Sequence, residues 1–112
     1  MKKTAIVIGL GGMGQRHIKA LNSLRIKVIA VCDKRENKLN SINSEKIKKT
    51  TNYRKLLKIK SDIVCISSNT RSRKKIFEDF FLKSKINKIL IEKPLSSSYK
   101  NCLEFRSIIK KN

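Results

Sequence analysis

The sequence predicts an α/β domain: a doubly wound, mostly parallel sheet with helices on both faces, forming one domain over residues 1–112. Two observations predict it. Short, continuous apolar runs rich in β-branched residues recur at 5–8, 26–32, 62–67 and 88–92. Runs of that length without alternation belong to strands buried on both faces. Between them the apolar spacing switches to three and four residues, the helical period. Strands alternating with helices make βαβ units, with right-handed crossovers. At 112 residues there is room for one such domain and not for two full ones.

Taken in order, Ala5-Ile6-Val7-Ile8 is the opening strand, bounded by a glycine. From Gly12 the pattern is helical, with Met13, His17, Ala20, Leu21 and Leu24 at helical steps. A second strand follows over 26–32 and ends at Asp33. Residues 35–45 are polar, with Leu39 and Ile42 three apart, so a short helix is expected there. A brief third strand is read at 47–51 and a helical turn at 53–57. The fourth strand spans 62–67. After it comes a polar turn, Ser68-Asn69-Thr70, with Thr70 or Ser72 expected to cap the next helix. That helix buries Ile76, Phe77, Phe80 and Phe81. A last buried strand, 88–92, ends before Pro94, and a final helix is expected over 103–109.

Composition bounds the function. No apolar run approaches the ~20 residues that cross a bilayer, so no membrane span is expected. The N-terminus reads as an opening strand rather than a signal peptide. Three cysteines, Cys32, Cys65 and Cys102, are widely spaced without a CxxC. They read as reduced thiols of a cytoplasmic protein, not as disulfides or a zinc site. With His17 the only histidine, no metal is expected. The 28 Lys+Arg against 8 Asp+Glu give a formal charge of +20. A basic stretch without acids runs from Lys46 through Lys48, Lys49, Arg54, Lys55 and Lys58 to Lys60. The basic residues are nevertheless spread over the whole chain, and no aromatic alternates with them as a base-stacking platform would. Solvated surface charge is the favoured reading, and nucleic acid is not the expected partner.

The chemistry sits in Gly9-Leu10-Gly11-Gly12-Met13-Gly14, a GxGxxG motif that follows a predicted strand and opens a predicted helix. A second strand then ends in an acid, Asp33, nineteen positions after Gly14. That context is the dinucleotide-binding fingerprint of a Rossmann-like fold. Gly9 permits the turn, Gly11 lets backbone approach a pyrophosphate, and Gly14 lets the helix pack closely. Amides near Gly12 and Met13, at the positive end of the helix dipole, face the phosphates. Asp33 accepts from the ribose hydroxyls and favours NAD, whereas Lys34 and Arg35 are the kind of neighbours that accommodate NADP. The choice between the two cofactors stays open. The alternative is a plain glycine turn. Ser67 to Thr70 and Glu92-Lys93-Pro94 stand at two further strand ends, where ligands of this architecture bind.

Together AIVIGLGGMGQRHIKAL, VIAVCD, DIVCISSNT and ILIEKPLS resemble the N-terminal domain of the Gfo/Idh/MocA oxidoreductases, over nearly the entire chain. The resemblance implies hydride transfer between NAD or NADP and a sugar- or polyol-like substrate. It implies that Gly9, Gly11, Gly12, Met13 and Gly14 hold the pyrophosphate, and that Asp33 and Arg35 meet the adenosine end. Ser67, Ser68 and Asn69 would line the cofactor groove. Glu92 would contact the nicotinamide ribose, and Lys93 would assist catalysis between cofactor and substrate. His17 would be structural, and a cis bond would precede Pro94. Two departures accompany it. Ser68-Asn69 stands where the family commonly has Thr-Pro, and Arg73 occupies the place of a histidine. Arg73 is expected to stack or bind an anion, and it cannot act as an acid–base group at neutral pH. The family also carries a second α/β domain, whereas this chain ends at Asn112. It is accordingly expected to be truncated or completed by another chain. Two other functions remain: a cofactor-binding module without turnover, and a basic nucleic-acid-binding protein.

Overall fold

β1 (Thr4–Ile8) is the middle strand of the sheet, and Ala5, Ile6 and Val7 along it are fully buried. A computed structural model describes residues 3–86 and 88–92. After β1 come α1 (Gly12–Ser23), β2 (Lys27–Cys32), α2 (Glu36–Asn40), β3 (Lys48–Thr50) and a 3₁₀ turn (Tyr53–Leu56). β4 (Ile63–Ile66), α3 (Thr70–Lys83) and β5 (Lys88–Ile91) complete the described elements. The strand order is β3-β2-β1-β4-β5, every pair parallel. All carboxyl ends therefore lie along one edge, and the chain reverses its winding direction between β1 and β4. That reversal opens the crevice in which doubly wound folds bind ligands.

The sheet buries both faces, as its unbroken apolar runs require. On one side Ile6, Ile8, Ala30, Val64 and Ile66 pack against Ile76, Phe77 and Phe80 of α3 and Leu56 of the 3₁₀ turn. On the other, Ala5, Val7, Val28, Val31 and Cys65 pack against Leu21 of α1 and Leu39 of α2. A bulge reconciles β2 with both layers. The register jumps from Ala5↔Val28 to Ile6↔Ala30, and Ile29 packs with Ala30 on the α3 side. No helix among the described residues is long and apolar enough to cross a membrane.

Several local expectations are corrected. The buried face of α1 is not the one that Met13, Ala20 and Leu24 would mark: all three are exposed, and Gly14, His17, Ile18 and Leu21 face inward. A close backbone contact at Gly14, described below, sets the rotation of the helix. β2 starts at Lys27, because the Ile26 amide donates to Leu21 O (2.9 Å) in the turn that ends α1. α2 has five residues, shorter than the polar stretch suggested. The cap of α3 is Asn69, whose side chain accepts from the Ser72 amide (3.1 Å), and not Thr70 or Ser72. Among the described residues β5 is an edge strand covered by α3 on one face, and Leu90 is about half exposed, against the expectation of a strand buried on both faces. The helix expected over 103–109 and the bond before Pro94 lie outside the described residues.

α1 ends in a left-handed turn occupied by Arg25 (φ 61°), with Arg25 N donating to Asn22 O at 3.0 Å. A side chain in that conformation costs about 1–2 kcal/mol relative to glycine. Arg25→Gly is therefore expected to raise unfolding stability by about 1 kcal/mol, read as an upward shift of the urea midpoint. An unchanged or lowered midpoint would show that the turn is held by other means.

Candidate cofactor-binding site

A cleft of about 630 Å³ lies along the carboxyl ends of the strands, between the β1–α1 turn and the ends of β2, β4 and β5. Sheet-type pairing continues past the strands and fixes the loops that line it. Gly9 N donates to Cys32 O (2.8 Å), Asp33 N to Thr50 O (3.3 Å), Ser67 N to Ile8 O (2.8 Å), and Glu92 N to Ile66 O (3.2 Å). Of the residues read from the sequence, Gly9, Gly11, Gly12, Met13, Asp33, Arg35, Ser67, Ser68, Asn69 and Glu92 all line it. Gly14 does not, because it sits beneath the turn. Lys93 lies outside the described residues.

The glycines divide by what surrounds them. Gly9 has φ +95°, and a Cβ there would stand 2.6 Å from Ser68 N and 2.7 Å from the Ser67 carbonyl carbon. A Cβ on Gly14 would stand 1.8 Å from the Gly9 carbonyl oxygen. These two glycines bring β1, the start of α1 and the end of β4 into contact. Gly11 and Gly12 are different: a Cβ on Gly11 meets only Arg35 Nη2 at 3.9 Å, and one on Gly12 meets nothing within 4 Å. Their space opens into the cleft. Gly11 is the N-cap and has no side chain to satisfy the first amides of α1, and Gln15 N bonds back to Gly11 O (3.0 Å). The amides before it have no acceptor within the helix and suit an anion.

Asp33, at the end of β2, is almost completely buried. Its Oδ2 accepts from Leu10 N (2.8 Å) and Arg35 Nη2 (3.0 Å), and its Oδ1 from Arg35 N (2.9 Å) and Nε (3.0 Å). Burial alone would push the carboxyl up. The Arg35 side chain and the backbone amides of Arg35 and Leu10 outweigh it, holding the pKa down to about 2. At the end of β4, Ser67 Oγ is buried and has no hydrogen-bond partner among the described residues. The residue lines the cleft, with its Oγ 3.6 Å from the position of a Cβ on Gly14, and leaving a buried hydroxyl unpaired is costly.

Several groups hold structural partners that the sequence does not show. Arg73, expected to stack or bind an anion, lines the cleft, and its Nε donates to Ser68 O (2.7 Å) and its Nη1 to Glu92 O (3.1 Å), tying the ends of β4 and β5 together in a buried position. Its place in the first turn of α3, directly after a strand end, was the available signal. His17 Nε2 pairs with Glu92 Oε1, so the histidine joins α1 to the end of β5 across the cleft. Asn69 is engaged in capping α3, and Ser68 Oγ accepts from Ser72 Oγ (3.1 Å). Tyr53 also lines the cleft, and its hydroxyl donates to the buried Asp79 carboxylate. Burial, then Asp79, pushes the Tyr53 phenol up to about 12, so it stays protonated. Lys46, Lys48, Lys49, Lys55, Lys58 and Lys60 are exposed and do not line the cleft. No group of three or more His, Cys, Asp or Glu side chains placed to hold a metal occurs among the described residues.

The family model for Gfo/Idh/MocA, described as an oxidoreductase family with an NAD-binding Rossmann fold, matches residues 3–112. No curated protein matches the chain. Solved structures do. Myo-inositol 2-dehydrogenase from Lactobacillus plantarum superposes with a TM-score of 0.84 at 25% identity, covering 99% of this chain and 34% of that one. Myo-inositol dehydrogenase from Lactobacillus casei, solved with NAD(H) and myo-inositol, gives 0.85 at 23% identity, covering 100% and 34%. The WlbA dehydrogenase from Bordetella pertussis, solved with NADH and UDP-GlcNAcA, gives 0.81 at 13% identity, covering 98% and 34%. The chain thus spans about a third of the length of these structures.

The contrast among the glycines is open to direct test. Gly14→Ala is expected to destabilise the fold by about 3 kcal/mol, the upper end of overpacking costs, because backbone is the obstacle. Gly12→Ala is expected to leave stability unchanged or raise it by up to ~1 kcal/mol. Urea unfolding of both variants checks this, and equal midpoints would contradict it.

Proposed function

Because the chain belongs to the Gfo/Idh/MocA oxidoreductase family, we propose that its cleft holds a nicotinamide adenine dinucleotide for hydride transfer to or from a sugar- or polyol-like substrate. The observation that carries this reading is the pairing of a closed contact with an open surface. Gly14 against Gly9 fixes the mouth of α1, while Gly11 and Gly12 leave it bare. The amides there would receive the pyrophosphate, with Gly9, Gly11, Gly12, Met13 and Gly14 shaping the turn. Asp33 and Arg35 would meet the adenosine end, with NAD favoured over NADP. Ser67, Ser68 and Asn69 would line the groove, and their place along the cleft supports that role.

Bound at this site, the nicotinamide would supply the hydride acceptor or donor. The protein's part is orientation and proton handling. Glu92, held by His17 through its side chain and by Arg73 through its carbonyl, would orient the nicotinamide ribose. Lys93 would lie next to the alcohol proton in the family arrangement. The substrate class rests on the family resemblance and on the inositol-bound relative. Most of the substrate pocket would come from a further α/β domain, supplied by additional sequence or another chain. Free, buried Cys32 and Cys65 support a cytoplasmic setting.

Titration with NADH, followed by nicotinamide fluorescence, tests the reading. Saturable binding is expected for the wild-type chain. Gly11→Ala, whose Cβ would enter open space, is expected to fold and to bind NADH at least ~10-fold more weakly. Absence of saturable binding, together with steeply salt-dependent binding to DNA or RNA, would replace this reading with a polyanion-binding one.

A further inference from the structure

Asp33 is fully subscribed. A carboxylate offers about four acceptor directions, two on each oxygen. Leu10 N and Arg35 Nη2 take those of Oδ2, and Arg35 N and Nε take those of Oδ1. Two of the donors are backbone amides fixed by the turns after β1 and β2. The other two belong to one side chain, one on each oxygen. That side chain is 55% exposed, against 6% for Asp33, so it is free to turn out into solvent. It also crosses the mouth of the cleft, with Nη2 at 3.9 Å from the position of a Cβ on Gly11.

A ribose diol brings two O–H donors and needs two acceptor directions. Turning Arg35 away frees two, one on each Asp33 oxygen, and no other single movement does so. We propose that the Arg35 side chain is an internal competitor for the adenosine ribose: it occupies the diol's two acceptor positions on Asp33 and thereby sets the preference between NAD(H) and NADP(H). This inference rests on the cofactor reading above. With the fork closed, the Asp33 charge is masked, and Arg35 and Lys34, both lining the cleft, offer cations to a 2′-phosphate. With the fork open, a bare carboxylate accepts the 2′- and 3′-hydroxyls and repels a 2′-phosphate. The closed arrangement therefore weakens NAD(H) and tolerates NADP(H). The open one selects NAD(H).

Calorimetric titration of NADH and NADPH into the full chain tests this, using wild type, Arg35→Ala and Arg35→Lys, with melting curves to verify folding. The fork joins a half-exposed guanidinium to a buried carboxylate, and its removal is expected to tighten NADH about three- to fivefold. NADPH is expected to weaken about tenfold in Arg35→Ala as the phosphate loses its cation. Arg35→Lys, which keeps the charge without the fork, is expected to retain the NADH gain and to lose less NADPH affinity. Wild type that binds NADH while Arg35→Ala binds it equally or more weakly would overturn the competition and leave the cofactor reading intact. If neither wild type nor Arg35→Ala binds either cofactor, the cofactor reading fails and the competition with it.

Discussion

The close approach of Gly14 to the Gly9 carbonyl governs the rest of the structure. It sets how far α1 sinks toward the carboxyl end of β1 and how the helix is rotated about its axis. The rotation decides that Ile18 and Leu21 reach the sheet while Met13 and Ala20 do not. The depth decides that the first amides of α1 open at the same level as Asp33, Ser67 and Glu92. A side chain at either glycine would have to move backbone, and the site would lose its alignment before it lost any of its groups.

Around that contact the chain uses its scarce acids sparingly. With 8 acidic residues against 28 basic ones, several of the acids are committed to internal tasks. Asp33 gathers the turns after β1 and β2, and Glu92 meets His17. Asp79, buried on α3, accepts from Tyr53 and pairs with Lys75 and Lys83 at 3.4 and 3.3 Å. Burial raises the Asp79 carboxyl, and Tyr53 and those lysines outweigh it to hold it below the usual range. Among the described residues Arg73 is buried, and most of the other cations left over face solvent, where they add a positive field around an anion-binding mouth and do little for stability.

Much of this was legible in the chain itself. β1, β2 and β4 announce themselves as β-branched runs, and Gly9, Gly11, Gly14 and Asp33 fall at spacings whose physical purpose is known. What was not legible depends on direction rather than residue type. Periodicity alone assigns α1 two plausible faces, and a backbone contact at Gly14 chooses between them. Asn69 suits a groove or a cap, and the free amide of Ser72 draws it to the cap. The place of Arg73 in the first turn of α3 hints at a strand-end role but not at the two carbonyls it joins, because β4 and β5 become neighbours only in the sheet. The doubled grip of Arg35 on Asp33 is likewise invisible until both oxygens are counted. Lys93 lies beyond the described residues and stands on resemblance.

The central claim is that the amides opening α1 receive the diphosphate of the coenzyme, and backbone amide resonances measure it directly. In a ¹⁵N-labelled sample taken to saturation with NADH, the signals of Gly11, Gly12 and Met13 should shift most, accompanied by those of the β1–α1 turn and Ser67. Shifts confined to the lysine-rich stretch at 46–60, or none at the helix mouth at saturation, would contradict it.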